Sequence, residues 1–244
     1  SAHYNLGLSL LKIGEFEEGF KEYDWRKHRR KRYVKQEIFN SSEWKGEALN
    51  SKTILVHDEQ GYGDTIQFSR YLFRLSEEHE VSILFKTKEN LKYLYQTSPF
   101  KIITDESLIP HHHFHSDMIN LVKIYYQKTN EFLKEKDFLP SNKILDDKWE
   151  RKLLKLKGPK IGLNWQGSKF RRQDKYRALK LDSLEPLFSD NSNLQFVSVQ
   201  KGFGSEQVDT FKFKKELFYK DIDVKIEKEL NAFEDSIALI KQLN

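Results

Sequence analysis

From Lys52 onward the chain alternates short apolar runs with stretches of helical period, and it does so twice. TILV (53–56), VSILFK (81–86) and FKIIT (100–104) read as strands, separated by the helical TIQFSRYLFRLSEE (65–78) and ENLKYLYQ (89–96). In the first helix Ile66, Phe68, Tyr71, Leu72 and Leu75 fall toward one side. Strands alternating with helices must be joined by crossovers, which makes the sheet parallel. The pattern restarts after a charged helix, DDKWERKLLKLK (146–157): GPKIGLNW (158–165) is a strand, LDSLEPLF a helix, LQFVSVQ a strand and KELNAFEDSIALIKQL a helix. Two Rossmann-like units joined around 140–158 are the simplest account. The second has two clear strands and a third around Glu216–Tyr219, and the chain stops at Asn244 just after a helix that ought to feed another strand. The polypeptide therefore reads as a fragment with an incomplete second unit.

Residues 2–30 have a different texture. Leu6, Leu10, Leu11 and Ile13 give a helical period, Gly14 breaks it, and Phe16, Phe20 and Tyr23 resume it. The order Leu6-Gly7, Leu10, Gly19, Tyr23 resembles a tetratricopeptide repeat, although Arg26 and Lys31 stand where that repeat prefers alanine and proline. One such hairpin cannot bury its own face, so either it packs on the following domain or further repeats precede it. The expected partition is a helical hairpin over 1–35, a Rossmann-like domain over 36–150 and a partial Rossmann-like domain over 151–244. The basic run RKHRRKRYVK (26–35) reads as a solvated helix end, since no aromatic platform or nucleic-acid motif accompanies it.

Composition excludes several classes. No stretch approaches eighteen consecutive apolar residues, so no transmembrane segment is expected, and the N-terminal SAHYNLGLSLLK is not a signal peptide. Cysteine is absent, which removes disulfides and thiolate chemistry. With a net charge of +5 the chain suits anionic ligands without selecting nucleic acid. A cytoplasmic protein is the expectation.

Two loops of opposite charge follow the first strand of each unit. The first, DEQGYGD, has Gly61 and Gly63 in dinucleotide register but Ile66 at the third glycine position, and it lacks a P-loop ending. Asp58, Glu59 and Asp64 would repel a diphosphate there. Asp64 suits two roles that can coexist: N-cap of the following helix, or general base toward a neutral hydroxyl. The second loop, QGSKFRRQDKYRALKL, carries Lys169, Arg171, Arg172, Lys175 and Arg177 around Gly167 and Ser168. It reads either as a diphosphate site or as a flexible charged loop. If two such halves face each other, both loops reach a shared cleft, acidic on one wall and basic on the other. That division suits glycosyl transfer from a nucleotide sugar.

EQGYGDTIQFSRYL, preceded by EYDWR and by WKGE, resembles bacterial tetratricopeptide-repeat proteins whose C-terminal region is a glycosyltransferase related to the heptosyltransferases. IGLNWQGS, Arg177 before LDSLEPL, FVSVQKG and FEDSIALI continue the likeness in the same order, over nearly all of residues 3–244. The resemblance implies a GT-B-like α/β fold and an inverting displacement. It makes Asp64 the catalytic base, with Glu59, Gln60, Gly61 and Gly63 forming the acceptor-side loop. It puts Arg177 and Lys169 on the donor phosphates, with Gln166 and Ser168 adding neutral hydrogen bonds. Lys201, at the next strand end, is a further donor-side candidate. A further strand with an Asp-Thr/Ser…His-Leu-Ala-Gly segment, which holds the donor in that family, is not in this chain.

The implied substrates are a nucleotide sugar and a hydroxyl acceptor: a glycan, a lipid-linked saccharide or a protein. No metal or other cofactor is expected. HHHFH (111–115) puts His111, His113 and His115 on one side of an extended segment but reads as a solvated loop. Trp44, Trp149 and Trp165 are candidates for sugar stacking or for the core. The alternative function is a protein-interaction module, in which the hairpin docks a protein partner and the α/β region is a scaffold without catalysis.

Overall fold

The three apolar runs of the first repeat become neighbouring strands. In the computed structural model, which describes residues 2–28, 39–135, 137–167, 178–190, 193–218 and 232–243, they are β2 (Thr53–His57), β3 (Ser82–Lys86) and β4 (Lys101–Ile103). Two strands extend the sheet beyond β2: β1 (Ser42–Glu43) and β5 (Phe114–Asp117). The order is β1-β5-β2-β3-β4, and every pairing is parallel. Ile54, Leu55 and Val56 of β2 expose no surface. A strand covered on both faces reads as an unbroken apolar run, which is why TILV does not alternate.

The helix expected over 65–78 forms in two pieces, α3 (Tyr62–Phe68) and α4 (Arg70–Glu78). At the junction the Ser69 hydroxyl donates back to the Ile66 carbonyl (2.8 Å), a bond that bends helices. Tyr71, Leu72 and Leu75 are buried as their spacing demands. ENLKYLYQ forms no α-helix; it makes two 3₁₀ turns, Glu89–Leu91 and Tyr93–Tyr95. Its buried Leu91 and Leu94 are three apart, which matches the three-residue turn.

HHHFH is a solvated loop only at His111 and His113, which are exposed. Phe114 and His115 lie in β5 between β1 and β2, and His112 is buried. The strand FHSD is short and polar, so it carries no apolar signal. Its last residue, Asp117, caps α5 (Met118–Thr129) by accepting from the Asn120 N–H (2.7 Å).

The N-terminal hairpin pairs α1 (Ala2–Ile13) with α2 (Phe16–Tyr23), and a 3₁₀ turn over Asp24–His28 follows. Gly14 (φ 90°) makes the turn. At Gly7 a Cβ would fall 2.5 Å from the backbone nitrogen of Tyr23, so only glycine allows the helices to approach this closely. The hairpin packs on the α/β layer of its own unit. Phe16 meets Tyr126 and Phe132 edge-on (5.3 and 4.7 Å), and Phe20 is buried beside them.

The chain divides into two compact units, Ser1–Pro140 and Ser141–Asn244, so the hairpin and the first sheet share one unit. The helix α6 (Lys143–Leu153) lies beyond that boundary, whereas the sequence reading ended the first domain after residue 150. It packs with α8 (Ala232–Lys241), and Trp149 donates through Nε1 to Asp235 Oδ1 (2.9 Å).

The second sheet is parallel, in the order β6 (Lys160–Leu163), β7 (Gln195–Ser198), β8 (Leu217–Phe218). Adjacent residues of β7 point to opposite faces. Val197 joins Trp149, Leu153 and Leu239 on one side; Phe196 joins Trp165, Leu181 and Phe211 on the other. LDSLEPLF becomes a 3₁₀ turn, Leu181–Leu184, continuing into α7 (Glu185–Asp190). Trp44, Trp149 and Trp165 are all core residues, at most 3% exposed, which leaves no face for a sugar. No helix among the described residues is long and apolar enough to cross a membrane.

Candidate functional site

The chain leaves β2 toward β3 and β4 on one side, and returns to place β5 on the other. The carboxyl ends of β2 and β5 therefore mark the point where strand order reverses, the usual ligand position in open parallel sheets. Here a side chain from the helical hairpin occupies it. Arg26 donates through Nε to Glu59 Oε1 (2.7 Å), through Nη2 to Asp117 Oδ1 (2.6 Å) and through Nη1 to Asp24 Oδ1 (2.8 Å). Its side chain is 7% exposed, with Glu59 at 5% and Asp117 at 4%. Lys27 pairs with Asp117 Oδ2 (3.2 Å) and with Glu43, and Lys123 pairs with Asp24. Arg26 and Lys27, the first two cations of the basic run, are thus internal counter-ions and not a solvated helix end. Residues 29–35 of that run lie outside the described residues.

The two buried carboxylates on Arg26 share its charge unequally. Burial works against ionisation of Asp117, but Arg26, Lys27 and its capping bond overcome it and hold the group down at about 2. Burial and the Asp117 charge push Glu59 above the ordinary range, against the pull of Arg26. Asp117 is the firmer anion of the two.

The acidic loop follows β2 directly. Asp58 Oδ2 accepts from Lys88 Nζ (2.5 Å) and from the Thr87 hydroxyl (3.2 Å). Glu59 is taken by Arg26, and Gln60 donates to the Tyr23 hydroxyl (3.4 Å). Gly61 is the N-cap of α3, with an extended backbone (φ −73°, ψ 175°). Asp64 is not the N-cap itself. It is the third helical residue and reaches back to accept from the Gly61 N–H through Oδ2 (3.0 Å), half of a capping box. Asp64 is half-buried, and no cation among the described residues lies against it. A Cβ on Gly63 would meet nothing within 4 Å.

Beside this loop an open groove of about 490 Å³ runs past Asp58, Lys88, Thr104 and Asp105 at the carboxyl ends of β3 and β4. Tyr62, exposed at the start of α3, has the Lys88 ammonium 5.5 Å above its ring and accepts from Asn90 Nδ2 (3.3 Å).

In the second unit Gln200, 5% exposed, ties together the loops that leave β6 and β7. Its Oε1 accepts from the backbone N–H groups of Trp165 (3.1 Å) and Gln166 (2.9 Å), and its Nε2 donates to the carbonyls of Gln166 (3.0 Å) and Phe203 (2.7 Å). Gln166 turns its own Nε2 toward the Leu179 carbonyl (3.3 Å). Lys201 is partly exposed, its ammonium 5.7 Å from the Phe233 ring. Ser168, Lys169 and Arg177 lie outside the described residues. Among the described residues no cluster of three or more His, Asp or Glu is disposed to hold a metal ion.

Sequence reasoning missed Arg26, Asp117 and Gln200. Arg26 had a signal, its departure from the repeat pattern. Asp117 had one too, as a cap before the apolar MINLV. Gln200 had none, because its role depends on two loops meeting.

His57, buried at the end of β2, stacks on Phe39 (4.8 Å), which also stacks on His115 (5.1 Å). Burial holds His57 below its ordinary range despite the Asp117 charge, with His115 and Lys86 adding to the depression. His115 is likewise lowered by burial, against Glu43. The unfolded chain takes up protons below about pH 6.5 that these folded histidines refuse. The contribution of these two histidines to the unfolding free energy should therefore fall as pH drops from about 7 toward 5, with the raised Glu59 acting in the opposite sense. Urea titrations across that window check it, and His57→Phe should flatten the slope.

No protein-family model matches this chain, and neither does any curated protein or solved structure.

Proposed function

We propose that this chain carries the acceptor-activating half, and part of the donor-binding half, of an inverting glycosyltransferase. Asp64 takes the proton of an acceptor hydroxyl. The oxygen forms a bond to the anomeric carbon of a nucleotide sugar, the bond from that carbon to the diphosphate breaks, and the nucleoside diphosphate leaves with the electron pair. The donor phosphates are assigned to the loops after β6 and β7, through Lys169, Arg177 and Lys201, with Gln166 and Ser168 beside them.

The observation that carries this reading is the division of labour among three carboxylates. Asp58 is neutralised by Lys88 and Glu59 by Arg26, while among the described residues Asp64 has only a backbone amide on one oxygen. Gly63 adds support. Neither a positive φ nor a packing contact requires glycine there, and open space above the backbone suits close approach of a substrate. Gly63→Ala is expected to stabilise the fold by about 0.5–1 kcal/mol, since glycine weakens helices, and to lower turnover. Thermal melts and initial rates check the two effects together.

The interaction-module reading has its own support. Leu6, Ile13 and Trp25 of the hairpin are exposed, and the acidic loop spends most of its polar groups internally. Calorimetric titration of the full-length protein with nucleoside diphosphates separates the two readings. The transferase binds one nucleoside diphosphate per chain; a pure docking module binds none.

A further inference from the structure

We propose that Arg26 is a positioning residue that builds the helical hairpin into the candidate site by fixing the loop that holds Asp64. The hairpin grips that loop at two successive residues: Arg26 Nε on Glu59 Oε1 (2.7 Å) and the Tyr23 hydroxyl on Gln60 Nε2 (3.4 Å). The next residue, Gly61, supplies the N–H that holds Asp64 Oδ2 (3.0 Å). Nothing but the chain itself separates the grip from the candidate base.

The same guanidinium is also held at a second nitrogen. Arg26 Nη2 holds Asp117, and Asp117 is locked in turn by the Asn120 N–H at the start of α5. The Arg26 plane also lies 5.1 Å from the Tyr23 ring, which limits its rotation. One planar cation therefore cross-links the hairpin, the end of β5 and the loop after β2. A guanidinium suits this because its donors leave in fixed, divergent directions; an ammonium is a point charge and cannot hold three carboxylates in that fork. The geometry also explains why position 26 departs from the alanine of the repeat it resembles. The hairpin is a wall of the site and not an appendage to it.

The inference rests on Asp64 being the base, but its test does not. In the full-length protein, solvent exchange of the Gly61 and Thr65 amides is measured by NMR for Arg26→Lys and Glu59→Gln, beside amides inside β2 and β3. Glu59→Gln is the safer fold, because Arg26 keeps Asp24 and Asp117. Both variants are expected to speed exchange at Gly61 and Thr65 about tenfold or more while the strand amides hold their protection. Loop amides that keep their wild-type protection, or that speed up only in step with the strands, overturn the proposal. Exchange requires no donor or acceptor. A failed anchor thus appears as unchanged loop exchange, and a failed base assignment as retained turnover in Asp64→Asn.

Discussion

Arg26→Met is expected to lower the unfolding free energy of the first unit by about 3–5 kcal/mol, the usual cost of removing one partner from a buried ion pair. The loss is not that of the three hydrogen bonds alone. Glu59 and Asp117 are almost wholly buried and share this one guanidinium; without it, two carboxylates face each other, and Lys27, which Glu43 also engages, pairs with Asp117 and not with Glu59 among the described residues. Protonating Glu59 is the cheapest relief, since burial and Asp117 already raise it. The destabilisation should therefore be smaller at mildly acid pH than at neutral pH, provided both proteins are compared at each pH. Urea denaturation followed on first-unit amide signals measures this. An exposed cation such as Lys21, whose ion pair among the described residues is with Glu18 three residues earlier, is the control and should change little. A cost for Arg26→Met within the range of such surface changes would mean the network adds nothing.

Asp64→Asn is expected to leave the fold in place and to reduce glycosyl transfer by about 10²–10⁴-fold, the range for removing a general base. The fold should survive because the bond Asp64 makes requires an acceptor, not a charge. The amide oxygen of asparagine can receive the Gly61 N–H in the same geometry. What asparagine cannot do is take a proton from a hydroxyl. Unchanged thermal stability with unchanged nucleoside diphosphate affinity would place the defect in chemistry. A drop in stability would instead place Asp64 among the structural caps.

The strands with apolar sequence were legible: TILV, VSILFK, FKIIT, KIGL and QFVS each became a parallel strand. A buried strand announces itself by composition. β5 did not, because FHSD owes its place to what surrounds it. β1, two residues long, was equally silent. The split of the first crossover helix at Ser69 and the 3₁₀ turns over 89–95 were also hidden, since helical periods of 3.0 and 3.6 residues look alike over one or two turns.

At the candidate site the residue types were readable and their assignments were not. Asp58, Glu59 and Asp64 look equivalent in sequence. They differ only because Lys88 arrives from the end of β3 and Arg26 from the hairpin, both distant along the chain. Arg26 read as one of several cations in a solvated run because burial is not written in a local window. Gly63 was legible as unusual, and the space above it gives that a physical content.

The most direct measurement of the central claim is nucleoside diphosphate release by the full-length protein and its Asp64→Asn variant. Both would be given a panel of uridine, guanosine, adenosine and thymidine diphosphate sugars with glycan, lipid-linked saccharide and protein acceptors. The account predicts acceptor-dependent release by the wild-type protein and its near-complete loss in the variant, with nucleotide binding retained. Release at the wild-type rate by the variant would contradict it and remove Asp64 from the chemistry.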